Sequence, residues 1–184
     1  MPTWSLRLIG SLDSSDRRAN DLARGLDAPR LNWQPAPHSW SIGQCLQHLL
    51  AANEVYLPPI AKALTGRATS PVEEVTPGWL GRWFIRAYIE PSPASVRGRS
   101  PRKIAPSVTV PPDVLDRFLR SNEVARDLIR RASGYDVNRI RFVNPFVPVI
   151  RFTVGTGLEI ICRHENRHLL QAERVKQSAT FPKE

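Results

Sequence analysis

Apolar residues recur at helical spacing in four stretches of this chain, and proline-rich or extended segments separate them. The first stretch predicts a helix over about residues 5–26, with Leu8, Leu12, Ala19, Leu22 and Leu26 on one side and Asp16, Arg17 and Arg24 on the other. The second predicts a helix from Ser41 to about Leu64, bent at Pro58 and Pro59. Its start is well specified: Ser41 and Gln44 have the S-x-x-Q spacing of a capping box, and Trp40 and Cys45 occupy the positions of a hydrophobic staple. The third runs from about Pro112 to Ala132, carrying Leu115, Phe118, Leu119, Ala125, Leu128 and Ile129 on one face, with Gly134 placed to end it. The fourth spans about Val154 to Gln177.

The intervals read differently. Residues 71–112 hold eight of the 17 prolines and one amphipathic stretch, Trp79, Leu80, Trp83, Phe84, Ala87 and Tyr88, that fits a single short helix. A connection of this length is either a lid or a surface insertion. From Arg139 to Phe152, Pro145, Pro148 and the surrounding β-branched and aromatic residues predict an extended return. Together the pattern predicts an all-α fold, a four-helix bundle plus a Pro-rich insertion at 71–112 that carries a short helix.

Composition narrows this further. The 184 residues suit one domain over 1–184, since the chain is long enough for one hydrophobic core and short for two. No window approaches the ~20 uninterrupted apolar residues of a membrane span, and the first residues lack the basic start and apolar run of a signal peptide, so a soluble protein in the cytoplasm is expected. Cys45 and Cys162 are the only cysteines, too few for a disulfide framework, and each falls in an apolar helical pattern as a reduced thiol. A net charge of +9 raises nucleic acid as a partner, but the basic residues are spread along the chain. The one dense group is Arg97, Arg99, Arg102 and Lys103, without a zinc-finger, helix-turn-helix or aromatic RNA-binding pattern, so specific nucleic-acid binding is not expected.

The chemistry concentrates in the fourth helix. Val154, Ile161, His168 and Val175 repeat every seven residues, with Gly157, His164 and Gln171 at the complementary spacing. His164 and His168 therefore lie about 40° apart on the inward face, while Arg163, Arg167 and Arg174 cluster roughly 100° aside, toward solvent. Burying two imidazoles costs roughly 1 to 3 kcal/mol each unless something satisfies them. A shared metal ion does so, and residues four apart on a helix place their side chains about 5 to 6 Å apart, within reach of one ion. Hydrogen bonds to carboxylates are the alternative. The H-E-x-x-H peptidase arrangement is absent, because Glu165 follows His164 but three residues separate the histidines. A third ligand must come from elsewhere, and His48, on the margin of the second helix's apolar stripe, is the candidate; His38 precedes the helix cap in a loop. Cys45, one turn before His48, is either a fourth ligand or a buried filler. Glu165 is placed to orient an imidazole, to move a proton or to form a salt bridge, and Gln171 and Asn53 are placed to donate hydrogen bonds near the site.

Two segments, Trp40-Ser41-Ile42-Gly43-Gln44-Cys45-Leu46-Gln47-His48-Leu49 and His164-Glu165-Asn166-Arg167-His168-Leu169-Leu170-Gln171-Ala172-Glu173-Arg174-Val175, resemble the signature segments of the DinB-like family of metal-binding four-helix bundles. The resemblance covers roughly residues 30–178 and is specific in the combination and order of the two segments. It implies an up-down bundle with a crossover, frequent homodimers, and a divalent ion such as zinc or nickel on three histidines that match His48, His164 and His168. It also implies a range of activities, including S-transfer with bacillithiol or mycothiol, thiol-dependent isomerisation and hydrolysis. The insertion at 71–112 departs from the family pattern and would reshape the pocket mouth. The expectation is a metal-dependent enzyme that transfers a low-molecular-weight thiol to a small electrophile, with metal-dependent hydrolysis or a non-catalytic metal-binding stress-response bundle as alternatives. Sequence assigns no catalytic residue beyond the metal ligands.

Overall fold

The computed structural model describes residues 1–90 and 100–182. Six α-helices lie in that part of the chain: α1 (Thr3–Ala23), α2 (Ala28–Leu31), α3 (Ile42–Ala63), α4 (Trp79–Phe84), α5 (Val114–Ala132) and α6 (Val154–Lys176). The strands β1 (Arg141–Val143) and β2 (Arg151–Thr153) form an antiparallel pair with Phe142 opposite Phe152. The protein is therefore mostly helical, and the extended return between α5 and α6 is this small hairpin.

Local chemistry accounts for the element ends. At the start of α3, Gln44 N–H donates to Ser41 Oγ (3.1 Å) while Ser41 N–H donates to Gln44 Oε1 (3.0 Å), the reciprocal pair the spacing predicts. Helix α1 stops at Ala23 instead of continuing to Leu26 because Gly25 takes a left-handed φ of 80° that a helix cannot contain. Helix α3 runs through Pro58 and Pro59 to Ala63 without ending at them. The single helix expected over Trp79 to Tyr88 is instead α4 followed by a π-helical turn, Ile85–Ile89. Sequence missed α2, whose Asp27 side chain accepts from Arg30 N–H at the cap.

Helices α3 and α1 each pack against both α5 and α6. The buried apolar side chains fall into two clusters, one around Leu8, Leu12, Ile60, Ile129, Phe142 and Leu158, the other around Ile42, Leu46, Leu49, Phe118 and Leu169. All four long helices contribute to both. Along α1 and α6 the first cluster comes before the second, whereas along α3 and α5 the order is reversed, so α3 and α5 run the same way. Two neighbouring helices with a common direction require a connection that returns the full helix length, which is the physical reason for the long segment between Leu64 and Asp113.

At the level where the clusters meet, each long helix presents polar side chains: Ser15 and Asp16 from α1, His48 and Asn53 from α3, Asn122 from α5, and His164, Glu165 and His168 from α6. The site is built in this polar layer.

Candidate metal centre

His48 is buried on α3 and His168 on α6, at 2% and 8% exposure, and His164, one turn before His168, is partly open to a cavity. The three rings meet. Their centroids lie 4.9 Å (His48–His164), 4.4 Å (His48–His168) and 4.6 Å (His164–His168) apart, and one nitrogen from each lies within 4.8 Å of the others. The Nε2 atoms of His48 and His164 are 3.1 Å apart.

The outer nitrogens are held from behind. His48 Nδ1 sits 2.7 Å from the carbonyl of Ile104, an obligate acceptor, so that nitrogen carries the proton and Nε2 presents its lone pair to the other rings. His168 Nδ1 lies 2.9 Å from Oε1 of Gln171, which aims Nε2 of that ring inward in the same way. Trp40 covers two of the three rings, stacked on His168 at 5.4 Å and tilted on His48 at 4.8 Å. Its sequence position suggested only a staple, and its contact with two imidazoles is a tertiary fact.

The segment that supplies the Ile104 carbonyl is fastened to α3 and to the end of α2. Gln44 Nε2 donates to Ser107 O (2.9 Å), Ser107 N–H donates to Gln47 Oε1 (2.7 Å), and the side-chain amide of Asn32 donates to Val110 O (3.1 Å) and accepts from Val110 N–H (2.7 Å). The proline-rich stretch is thus part of what orients His48.

Electrostatics favour neutral ligands. Burial lowers His48 to about 4 and His168 to about 3, in the latter case reinforced by His48, and pushes His164 well below the ordinary 6.5 with help from both neighbours and Arg167. All three imidazoles are neutral near pH 7, the form in which a ring nitrogen can ligate an ion. A carboxylate-free set of imidazole nitrogens converging on one point fits zinc, nickel or a similar divalent transition ion.

Other candidates fall outside this constellation. His38 stands at the cavity edge, exposed, with a left-handed φ of 67°. Cys45 is fully buried in the second apolar cluster and is a filler, its thiol driven up to about 12 by desolvation, and Cys162 is likewise a buried free thiol. Among the described residues, Glu165 neither orients an imidazole nor forms a salt bridge. Its carboxyl points the other way, where Asn53 Nδ2 donates to Oε1 (3.3 Å) and Asn122 Nδ2 to Oε2 (3.4 Å), and burial raises it to about 7. Asn122 in turn donates to Asp16, which pairs with Arg126 at 2.6 Å. Arg97 and Arg99 lie outside the described residues; Lys103 donates to the Pro145 carbonyl.

A cavity of about 1490 Å³ opens onto the trio. Tyr56, Phe84, Tyr88, Phe146, Ile150 and Ile161 supply apolar wall, and the hairpin and the π-helical turn contribute to it beside α3 and α6. Two arginines expected to point aside, Arg167 and Arg174, line it.

A family model described as the DinB superfamily matches residues 11–172. No curated protein and no solved structure matches the chain.

Proposed function

From the premise that this chain belongs to the DinB superfamily, we propose that it is a metal-dependent enzyme whose ion is held by His48, His164 and His168. The whole chain is read as one DinB-like up-down bundle with a crossover, residues 71–112 forming its insertion. The favoured reaction is transfer of a low-molecular-weight thiol to a small electrophile in the cytoplasm, by a homodimer. One observation carries the reading: three neutral imidazoles from two helices converge at the head of a large cavity.

An ion held there acts as a Lewis acid that makes a thiol or water nucleophilic near neutral pH. The protein's own residues do the rest. Ile104 O and Gln171 Oε1 hold the Nδ1 protons of His48 and His168 and so keep the opposite nitrogens available. Trp40 shields two of the rings, and the aromatic walls exclude water from an apolar substrate body. The internal thiols are not nucleophiles, since both are buried and desolvated away from the trio.

Elemental analysis of protein purified without chelator, beside His168→Ala, tests the centre: the parent should carry about one ion per chain and the variant almost none. Equal content in the two would overturn it. Turnover of a panel of electrophiles with and without a small thiol tests the reaction, and activity independent of thiol would replace S-transfer by hydrolysis. Light scattering tests the dimer.

A further inference from the structure

The cavity is charged on one side only. Among the described residues that line it there is no aspartate, glutamate or lysine, but two arginines, Arg167 and Arg174, both on α6. They are seven residues apart, two helical turns or about 10 Å along the axis, flanking the row that carries His164, His168 and Gln171.

Other guanidinium groups that are drawn into the fold are matched to carboxylates, while exposed ones such as Arg67 and Arg82 settle on backbone carbonyls. Arg7 pairs with Glu159, Arg18 with Glu173 at 2.7 Å, and Arg126 with Asp13, Asp16 and Glu123. The carboxylate of Glu90, the residue whose backbone Arg167 touches, is already taken, because it pairs with Arg163, which also pairs with Glu159. Arg167 is left with the Glu90 backbone carbonyl, at 3.1 Å, as its hydrogen-bond acceptor among the described residues. Its partial burial disfavours the charged form, and it lies close enough to His164 and His168 to depress both. A half-buried cation that faces a cavity without a counterion is unfavourable in the free protein, and an arriving anion removes that cost. The planar fork of a guanidinium is suited to two parallel bonds with an oxyanion.

We propose that the cavity takes a substrate bearing an oxyanion, a carboxylate or a phosphate, on an apolar body, and that Arg167 binds the oxyanion beside the histidine trio while Arg174 attracts it at the mouth. The aromatic walls of Tyr56, Phe84, Tyr88 and Phe146 hold the body. This rests on the cavity being the substrate site, as proposed above, but not on the trio holding an ion.

The test is calorimetric titration with 4-phenylbutyrate, phenyl phosphate and the neutral 4-phenylbutyramide, each against chelator-treated and zinc-loaded protein. At least one acid should bind about tenfold or more tightly than the amide, the scale of a charge-assisted hydrogen bond. The tighter acid identifies the group. Arg167→Gln should abolish that preference with metal content unchanged, Arg167→Lys should restore part of it, and Arg174→Gln should reduce it mainly at low ionic strength. Equal binding of acids and amide overturns the proposal. So does a preference that appears only with zinc and survives Arg167→Gln, since the ion would then hold the anion. If elemental analysis refutes the metal centre while the Arg167-dependent preference persists in chelator-treated protein, the metal reading fails and this inference stands.

Discussion

Glu165 shows how neighbouring residues on one helix receive opposite environments. It follows His164 directly, yet its carboxyl turns into the polar layer toward Asn53 and Asn122, with Asp16 behind it, while His164 turns to the cavity. Desolvation raises it from 4.5 to about 7, so its contribution to stability is complete below about pH 4.5 and is lost as pH rises through 7. Replacing it by the neutral glutamine removes that loss. The melting temperature of Glu165→Gln relative to the parent should therefore climb between about pH 5 and 8 and level off above; a pH-independent difference between the two proteins would contradict the raised value. Helical phase made the inward direction of His164 and His168 readable, because neither Cβ direction depends on the rest of the fold. The same phase placed Arg174 rightly toward solvent, though at the cavity mouth, but misjudged Arg167, whose long side chain is partly buried and reaches the cavity from the flank of the helix.

Among the elements, α3 and α6 bear the site, and their ends can be tested separately. Ser41→Ala removes the acceptor for Gln44 N–H and one half of the capping box, with an expected loss of about 1 kcal/mol in denaturant unfolding. Gly157 lies where α6 passes the hairpin: a Cβ there would stand 2.6 Å from Phe142 Cε1 and 2.9 Å from Ile60 Cδ1. Gly157→Ala should destabilise by roughly 1 to 3 kcal/mol by the same measurement, since both neighbours belong to the first apolar cluster and have little room to shift. The four long helices were legible from their periodicity and the α3 start from its capping box. So was the passage of α3 through Pro58 and Pro59, whereas the π-helical turn after Phe84 was not, because packing against neighbours outweighs local propensity.

At the scale of the molecule, a polar layer separates two apolar clusters, and the uncharged imidazoles in it turn ring nitrogens toward one another, with His48 Nε2 3.1 Å from His164 Nε2. An ion on those converging nitrogens should bind the folded state only. Zinc at about 100 times its dissociation constant should raise unfolding stability by ~2.7 kcal/mol in the parent, read as an upward shift in thermal denaturation. His48→Ala should lose that response while keeping a cooperative transition, whereas an unchanged response would place the zinc elsewhere. The described residues contain no helix long and apolar enough to cross a membrane, in line with the hydropathy pattern.

The sequence by itself determined where the long helices lie, which face of α6 carries His164 and His168, and that His48 is the third histidine to consider, because spacing along a helix is a local property set by 3.6 residues per turn. Only the tertiary structure decided that the three rings meet, that Glu165 turns away from them, that the Ile104 carbonyl comes from the proline-rich segment to hold His48, and that two arginines face a cavity with no acid among its described lining residues. Those outcomes depend on how the helices are rotated, directed and connected, and such contacts between residues distant in the chain leave no periodic trace in it.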